Sequence, residues 1–193
     1  MVAAVLAGLL GTALLAGEEA PPQSARPPSP LVPAVGPVRE ARRATVVYSD
    51  GKKRTGLLWL TPGKRLKIFD RAQQEYREFS LRELAAIKVD PEQEVVERVW
   101  RWKENASDEK VFTGETYPWR LYVTALTVRD AQGKQSTVTG DLSGELYLEE
   151  KAGEKPMRIL LYRRQKGDVG EGLSQLVYVA AVNFEEGRGE GKE

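Results

Sequence analysis

From Arg43 onward, apolar and polar residues alternate in short runs broken by glycine-bearing turns, and this pattern restricts the chain to antiparallel β structure. Thr45 to Tyr48 reads as a strand, and Ser49-Asp50-Gly51-Lys52 as a tight hairpin whose Asp-Gly pair tolerates the positive φ such turns need. Thr55 to Leu60 returns, Thr61-Pro62-Gly63-Lys64 turns again, and Arg65 to Phe69, Tyr76 to Phe79 and Ala85 to Val89 follow as short strands. Ser80 and Glu83 have capping-box spacing, which predicts one helical turn between the last two.

The same grammar returns later in the chain. The run VVYSDGKKRTGLLWL from Val46 matches LTVRDAQGKQSTVTGDLSGELYL from Leu126, and in both a Gly (Gly56, Gly140) opens a leucine-bearing strand. SLRELAAIKV from Ser80 matches GLSQLVYVAAV from Gly172, pairing Leu84 with Leu176 and Ala85–Val89 with Val177–Val182. These matches predict a mainly β fold of two small antiparallel barrels or sheets related by duplication, the first over residues 41–93 and the second over 94–184. Glu94 to Lys103 reads as a strand that can pair with either unit, and Asn105 to Glu109 as the polar boundary loop. Val123–Val128, Gly144–Leu148, Arg158–Tyr162 and Val177–Phe184 are the main strands expected in the second unit. The strand, Asp-Gly turn, Gly and leucine of Val46 to Leu60, with Ala85 to Val89 as the closing strand, resemble the opening of Sm-like and other SH3-like small barrels. The resemblance implies a barrel shape. The Asp and Asn through which Sm proteins read RNA are missing from Trp59 to Phe69, so it implies no RNA activity here.

Ahead of the β pattern, Val2 to Ala16 is a run of uncharged, small or apolar residues followed by Glu18 and Glu19, so residues 1–17 read as a signal peptide or a short membrane anchor. It is short against the roughly 20 apolar residues a spanning helix needs. Pro21, Pro22, Pro27, Pro28, Pro30, Pro33 and Pro37 make residues 18–40 an extended linker, and the Gly, Glu, Lys and Arg of residues 185–193 read as a disordered tail. An exported protein, periplasmic or extracellular, is therefore expected, touching a membrane only through an uncleaved N-terminal segment.

With neither Cys nor His, the chain lacks the Ser-His-acid triad, the thiol nucleophile and most transition-metal sites, and no cofactor is expected. Its 29 basic and 28 acidic residues nearly cancel, so nucleic acid is not an expected partner. The sequence is read as a non-enzymatic interaction or scaffolding module for an envelope protein or glycan, with a carbohydrate or cell-wall binding module and a carboxylate-dependent hydrolase as alternatives. No catalytic residue stands out. Trp100 and Trp102 share a strand face with Val96, so they either stack on a ligand or cover the junction of the two halves, the latter being the favoured reading. Trp59 and Trp119 read as packing residues. Arg163, Arg164 and Lys166, ahead of Gly167, Gly170 and Gly172, form either an anion-binding loop or, as favoured, a flexible connection. Glu149-Glu150 and Asp108-Glu109 are sequence neighbours, which on strands aim their carboxylates to opposite faces.

Overall fold

The computed structural model describes residues 40–104 and 108–185. The expected signal segment, the linker before Glu40 and the tail beyond Glu185 lie outside the described residues. The described chain is mainly β: β1 (Arg42–Tyr48), β2 (Lys53–Trp59), β3 (Leu66–Asp70), β4 (Glu75–Phe79), β5 (Leu84–Trp102), β6 (Lys110–Arg129), β7 (Gln135–Leu142), β8 (Gly144–Glu149), β9 (Met157–Leu161), β10 (Arg164–Lys166) and β11 (Val179–Phe184). Short 3₁₀ turns, Leu81–Glu83 and Leu173–Gln175, precede β5 and β11, and each is opened by a backbone N–H donated to the side chain three residues on: Ser80 to Glu83 Oε2 and Gly172 to Gln175 Oε1, both 2.6 Å.

All strands join one antiparallel sheet of order β4-β3-β7-β6-β5-β11-β1-β2-β8-β9, with β10 added beside β6. The expected units 41–93 and 94–184 are therefore interleaved. β5 runs through their boundary, β2 pairs with β8, and β3 pairs with β7. The order nevertheless reads alike from either end, with five strands on each side of the junction between β5 and β11. Val46 faces Val182 across β1–β11, and Leu126 faces Ile87 across β6–β5; Leu58 faces Leu148 across β2–β8, and Leu142 faces Ile68 across β7–β3. Leu66 faces Phe79 and Leu146 faces Ile159 in the two outer hairpins, and Ile87 meets Val182 at the midpoint of the sheet. These side chains are buried in a single core cluster.

The correspondence extends to irregularities. The β1–β11 ladder slips between Val47 and Tyr48, and the β5–β6 ladder slips in the matching place, between Leu84 and Ala86. Arg42 donates to the carbonyls of Leu81 and Leu84 at 2.7 and 2.5 Å, and Arg120 donates to those of Leu173 and Leu176 at 3.2 and 2.9 Å. Leu84 and Leu176 thus correspond at the turns, whereas in the ladders Val179 holds the place opposite Tyr48 that Leu84 holds opposite Val128. Gly56 and Gly140 mark where strands pass too closely for a side chain. A Cβ at Gly56 would lie 2.2 Å from the Glu149 carbonyl oxygen, and one at Gly140 would lie 1.8 Å from that of Phe69.

β5 and β6 have no counterpart in length. At 19 and 20 residues they outrun their neighbours: β11 leaves β5 after Lys88, β7 leaves β6 before Val123, and the outer parts of the two strands form a hairpin arm. Pro91 is tolerated inside β5 because it lies past β11, at a slip of the ladder before Gln93.

Candidate functional site

From Glu97 to Trp102 and from Lys110 to Glu115, the strands of the arm pair only with each other, and the core cluster draws no residue between Val89 and Tyr122. Near its outer end the ladder moves from Arg98 opposite Thr116 to Trp100 opposite Phe112, so Thr113, Gly114 and Glu115 bulge out across from Val99. Gly114 takes φ +89°, which a side-chain-bearing residue rarely adopts, and this supplies the kink. The bulge sets Phe112 and Lys110 beside the tryptophans. One face of the arm then carries Val96, Arg98, Trp100 and Trp102 on β5, with Lys110 and Phe112 on β6.

Trp100 and Trp102 meet edge to face, with centroids 4.9 Å apart and planes at 69°. The Lys110 ammonium sits 4.0 Å from the Trp100 centroid and 5.7 Å from that of Trp102, while the Arg98 guanidinium lies 4.8 Å from the Phe112 centroid. Val96, Trp100, Trp102 and Phe112 remain 51%, 40%, 49% and 52% exposed. The tryptophans cover no junction between halves, because the arm stands clear of both; they face solvent. Among the described residues Arg98 and Lys110 have no carboxylate partner, their contacts being these rings.

Three acids of the arm have partners of their own, and Glu115 in the bulge accepts the Thr113 hydroxyl at 3.4 Å. Glu97, on the opposite face, accepts the Tyr117 hydroxyl, which draws the Glu97 carboxyl below its ordinary range and pushes the tyrosine up. Glu109 pairs with Lys103 at 2.9 Å. At the base, Arg120 is nearly buried. It grips Glu94 at 2.5 to 2.6 Å in addition to the two turn carbonyls, tying the arm to the body.

The remaining candidates are absorbed by the fold. The basic run expected as an anion loop or a flexible connection is β10. Arg163 pairs with Asp141 at 3.1 Å, Arg164 lies over Trp119 at 4.6 Å, and Lys166 lies over Tyr117 at 3.9 Å. The amides of Gly167 and Gly170 donate to the carbonyls of Pro118 and Thr116 at 2.9 and 2.8 Å, so the glycines fasten this segment to β6. Glu149 accepts the Gly153 amide and Glu150 pairs with Arg54. Glu92 and Asp141 come together beside a depression of about 440 Å³, but Arg71 reaches both. Its hydrogen bonds hold the Glu92 carboxyl below the usual carboxylate range. Trp59 and Trp119 are buried, and the described residues contain no cluster of three metal-ligating side chains.

The spacing of Trp100 and Trp102 pointed to their shared face. Arg98, Lys110 and Phe112 were missed, because their placement depends on a non-local register set by the bulge at Gly114. No family model, curated protein or solved structure matches the chain.

Proposed function

We propose that the chain is a non-enzymatic interaction module of the cell envelope that makes its contacts through the β5–β6 arm. The observation that carries this reading is the ladder of exposed rings and carboxylate-free cations on an arm whose outer part, Glu97–Trp102 and Lys110–Glu115, adds nothing to the core. Exposed tryptophans keep apolar surface in water, and contiguous patches of this kind mark interaction sites. Export rests on the uncharged run Val2–Ala16 and the proline-rich stretch after it.

The test places a photo-cross-linking residue at Val96 or Phe112 in the full-length protein in cells, with exposed Leu57 on the body as control. Adducts from the arm positions alone are expected. Equal adducts from Leu57, or none from the arm, would overturn the assignment. N-terminal sequencing of fractionated protein tests export, which a chain retaining Met1 in the cytoplasm would exclude.

The carbohydrate reading draws on the same tryptophans but fits their geometry less well. Sugar platforms need open ring faces, whereas Lys110 occupies one face of Trp100 and Trp102 meets it edge-on.

The matching registers, slips and close-approach glycines support a duplicated five-stranded unit whose copies exchange partners, and an arginine on β1 and one on β6, two residues apart in register, grips each turn. In this reading β1 and β2 complete one small barrel-like half with β8, β9 and β11, and β6 and β7 complete the other with β3, β4 and β5. The arm is then the connection between repeats, elaborated into a contact element.

A further inference from the structure

We propose that the aromatic face of the arm docks on the interfacial region of an anionic lipid bilayer, lying flat with its rings among the headgroups; this names the partner of the site assigned above and rests on that reading. Charge distribution is the main argument. The face that carries Val96, Trp100, Trp102 and Phe112 also carries Arg98 and Lys110, both without carboxylate partners among the described residues. Most of the arm's carboxylates are paired or turned away: Glu94 is held by Arg120, Glu97 faces the other side against Tyr117, and Glu109 is paired with Lys103, while Glu115, exposed in the bulge, accepts only the Thr113 hydroxyl at 3.4 Å among the described residues. Glu104 and Asp108 lie past the last ring. An arm lying on its aromatic face therefore brings two cations to lipid phosphates, with Glu94 on that face neutralised by Arg120 and Glu97 kept toward water.

Ring chemistry agrees. Tryptophan favours the membrane–water interface, where the indole body is apolar and its N–H stays wet. Cations resting on ring faces can turn from the ring to a phosphate at little cost in reach. A single-stranded polynucleotide needs open ring faces for base stacking, and the edge-to-face pair capped by Lys110 does not offer them. A bilayer needs only the apolar edge and the charge.

The experiment uses the full-length protein and vesicles of phosphatidylcholine and phosphatidylglycerol whose acyl chains carry bromine near the headgroup. Residues 1–40 contain no tryptophan, and Trp59 and Trp119 are buried, so quenching of tryptophan fluorescence reports Trp100 and Trp102 whether or not another segment touches the vesicle. Quenching is expected with these vesicles, weaker at high salt, and lost in Trp100→Phe/Trp102→Phe. Arg98→Gln/Lys110→Gln should raise the lipid concentration for half-maximal quenching on the order of 25-fold, about fivefold per cation. Absence of quenching, equal quenching by pure phosphatidylcholine vesicles, or quenching that survives in the double Phe variant would overturn the lipid assignment. Cross-links to a protein from position 112 without quenching would also overturn it, while leaving the arm as the contact element.

Discussion

Replacing Gly140 with Ala tests the close strand passage on which the body depends. The new Cβ would sit 1.8 Å from the Phe69 carbonyl oxygen and 2.8 Å from its carbon, both backbone atoms that no rotamer change can clear. β3 must therefore retreat from β7 by roughly 1 Å, which breaks hydrogen bonds of the 2.9–3.0 Å class where Ile68, Phe69 and Asp70 pair with Leu142, Asp141 and Gly140. Losing two or three of them, at about 1–1.5 kcal/mol each, costs about 2–4 kcal/mol. The lower entropy of the unfolded Ala chain offsets about 0.4–1 kcal/mol. A net loss of about 2–3 kcal/mol is expected, read by equilibrium urea unfolding with tryptophan fluorescence as the probe. Gly56→Ala, facing the Glu149 carbonyl at 2.2 Å, should behave alike because it holds the matching place. Gly144→Ala is the comparison: its Cβ meets the Leu66 Cδ1 at 3.1 Å and the Leu142 Cδ2 at 3.5 Å, side-chain ends rather than backbone, so a cost of about 1 kcal/mol or less is expected. If Gly140→Ala unfolds within about 0.5 kcal/mol of the parent, or Gly144→Ala proves the costlier, the argument from strand approach is refuted.

Acid should destabilise the protein with a defined sign. Burial pushes the Asp70 carboxyl up, but Arg77 and the amides of Gln73 and Ala72 outweigh it and leave the group below its ordinary value; hydrogen bonds from Arg71 and Arg158 lower Glu92 and Glu145. Folded values below unfolded ones mean stability that is full above the ordinary carboxylate range and lost as pH falls through the folded values. With no histidine in the chain, the Tm should be flat between about pH 5.5 and 8 and drop below about pH 4, more gently in Asp70→Asn; a slope near neutrality would contradict this. At the base of the arm, Arg120→Met removes the partner of Glu94 and of the Leu173 and Leu176 carbonyls, and should cost about 2–4 kcal/mol by urea unfolding. Arg120→Lys should not restore it, since an ammonium cannot span all three; a Lys variant as stable as the parent would refute the clamp.

The strands near tight turns were legible because turn chemistry is local. Asp50-Gly51 and Asp130 to Gly133 close hairpins whose ladders run as their flanking alternation implies. Val46 and Leu126, aligned in the sequence comparison, hold comparable ladder positions in the one sheet. The interleaving was not legible. Alternation shows which side chains share a face but carries no label for the neighbouring strand, so β2–β8 and β7–β3 pairing reads no differently from pairing within each unit. For the site, spacing two apart put Trp100 and Trp102 together, but their exposure depends on β11 and β7 ending where they do.

The sequence by itself determined antiparallel β character, turn positions, the matched motifs and the absence of thiol and imidazole chemistry, because each follows from residue type or from neighbours a few positions away. Only the tertiary structure decided that β5 runs on through the expected boundary, that each five-stranded set draws on strands from both halves of the chain, and that the rings and cations of the arm meet on one open face. Those outcomes rest on ladder pairings between strands distant in the chain and on one glycine bulge, whose energies depend on the partner strand rather than on the local run of residues.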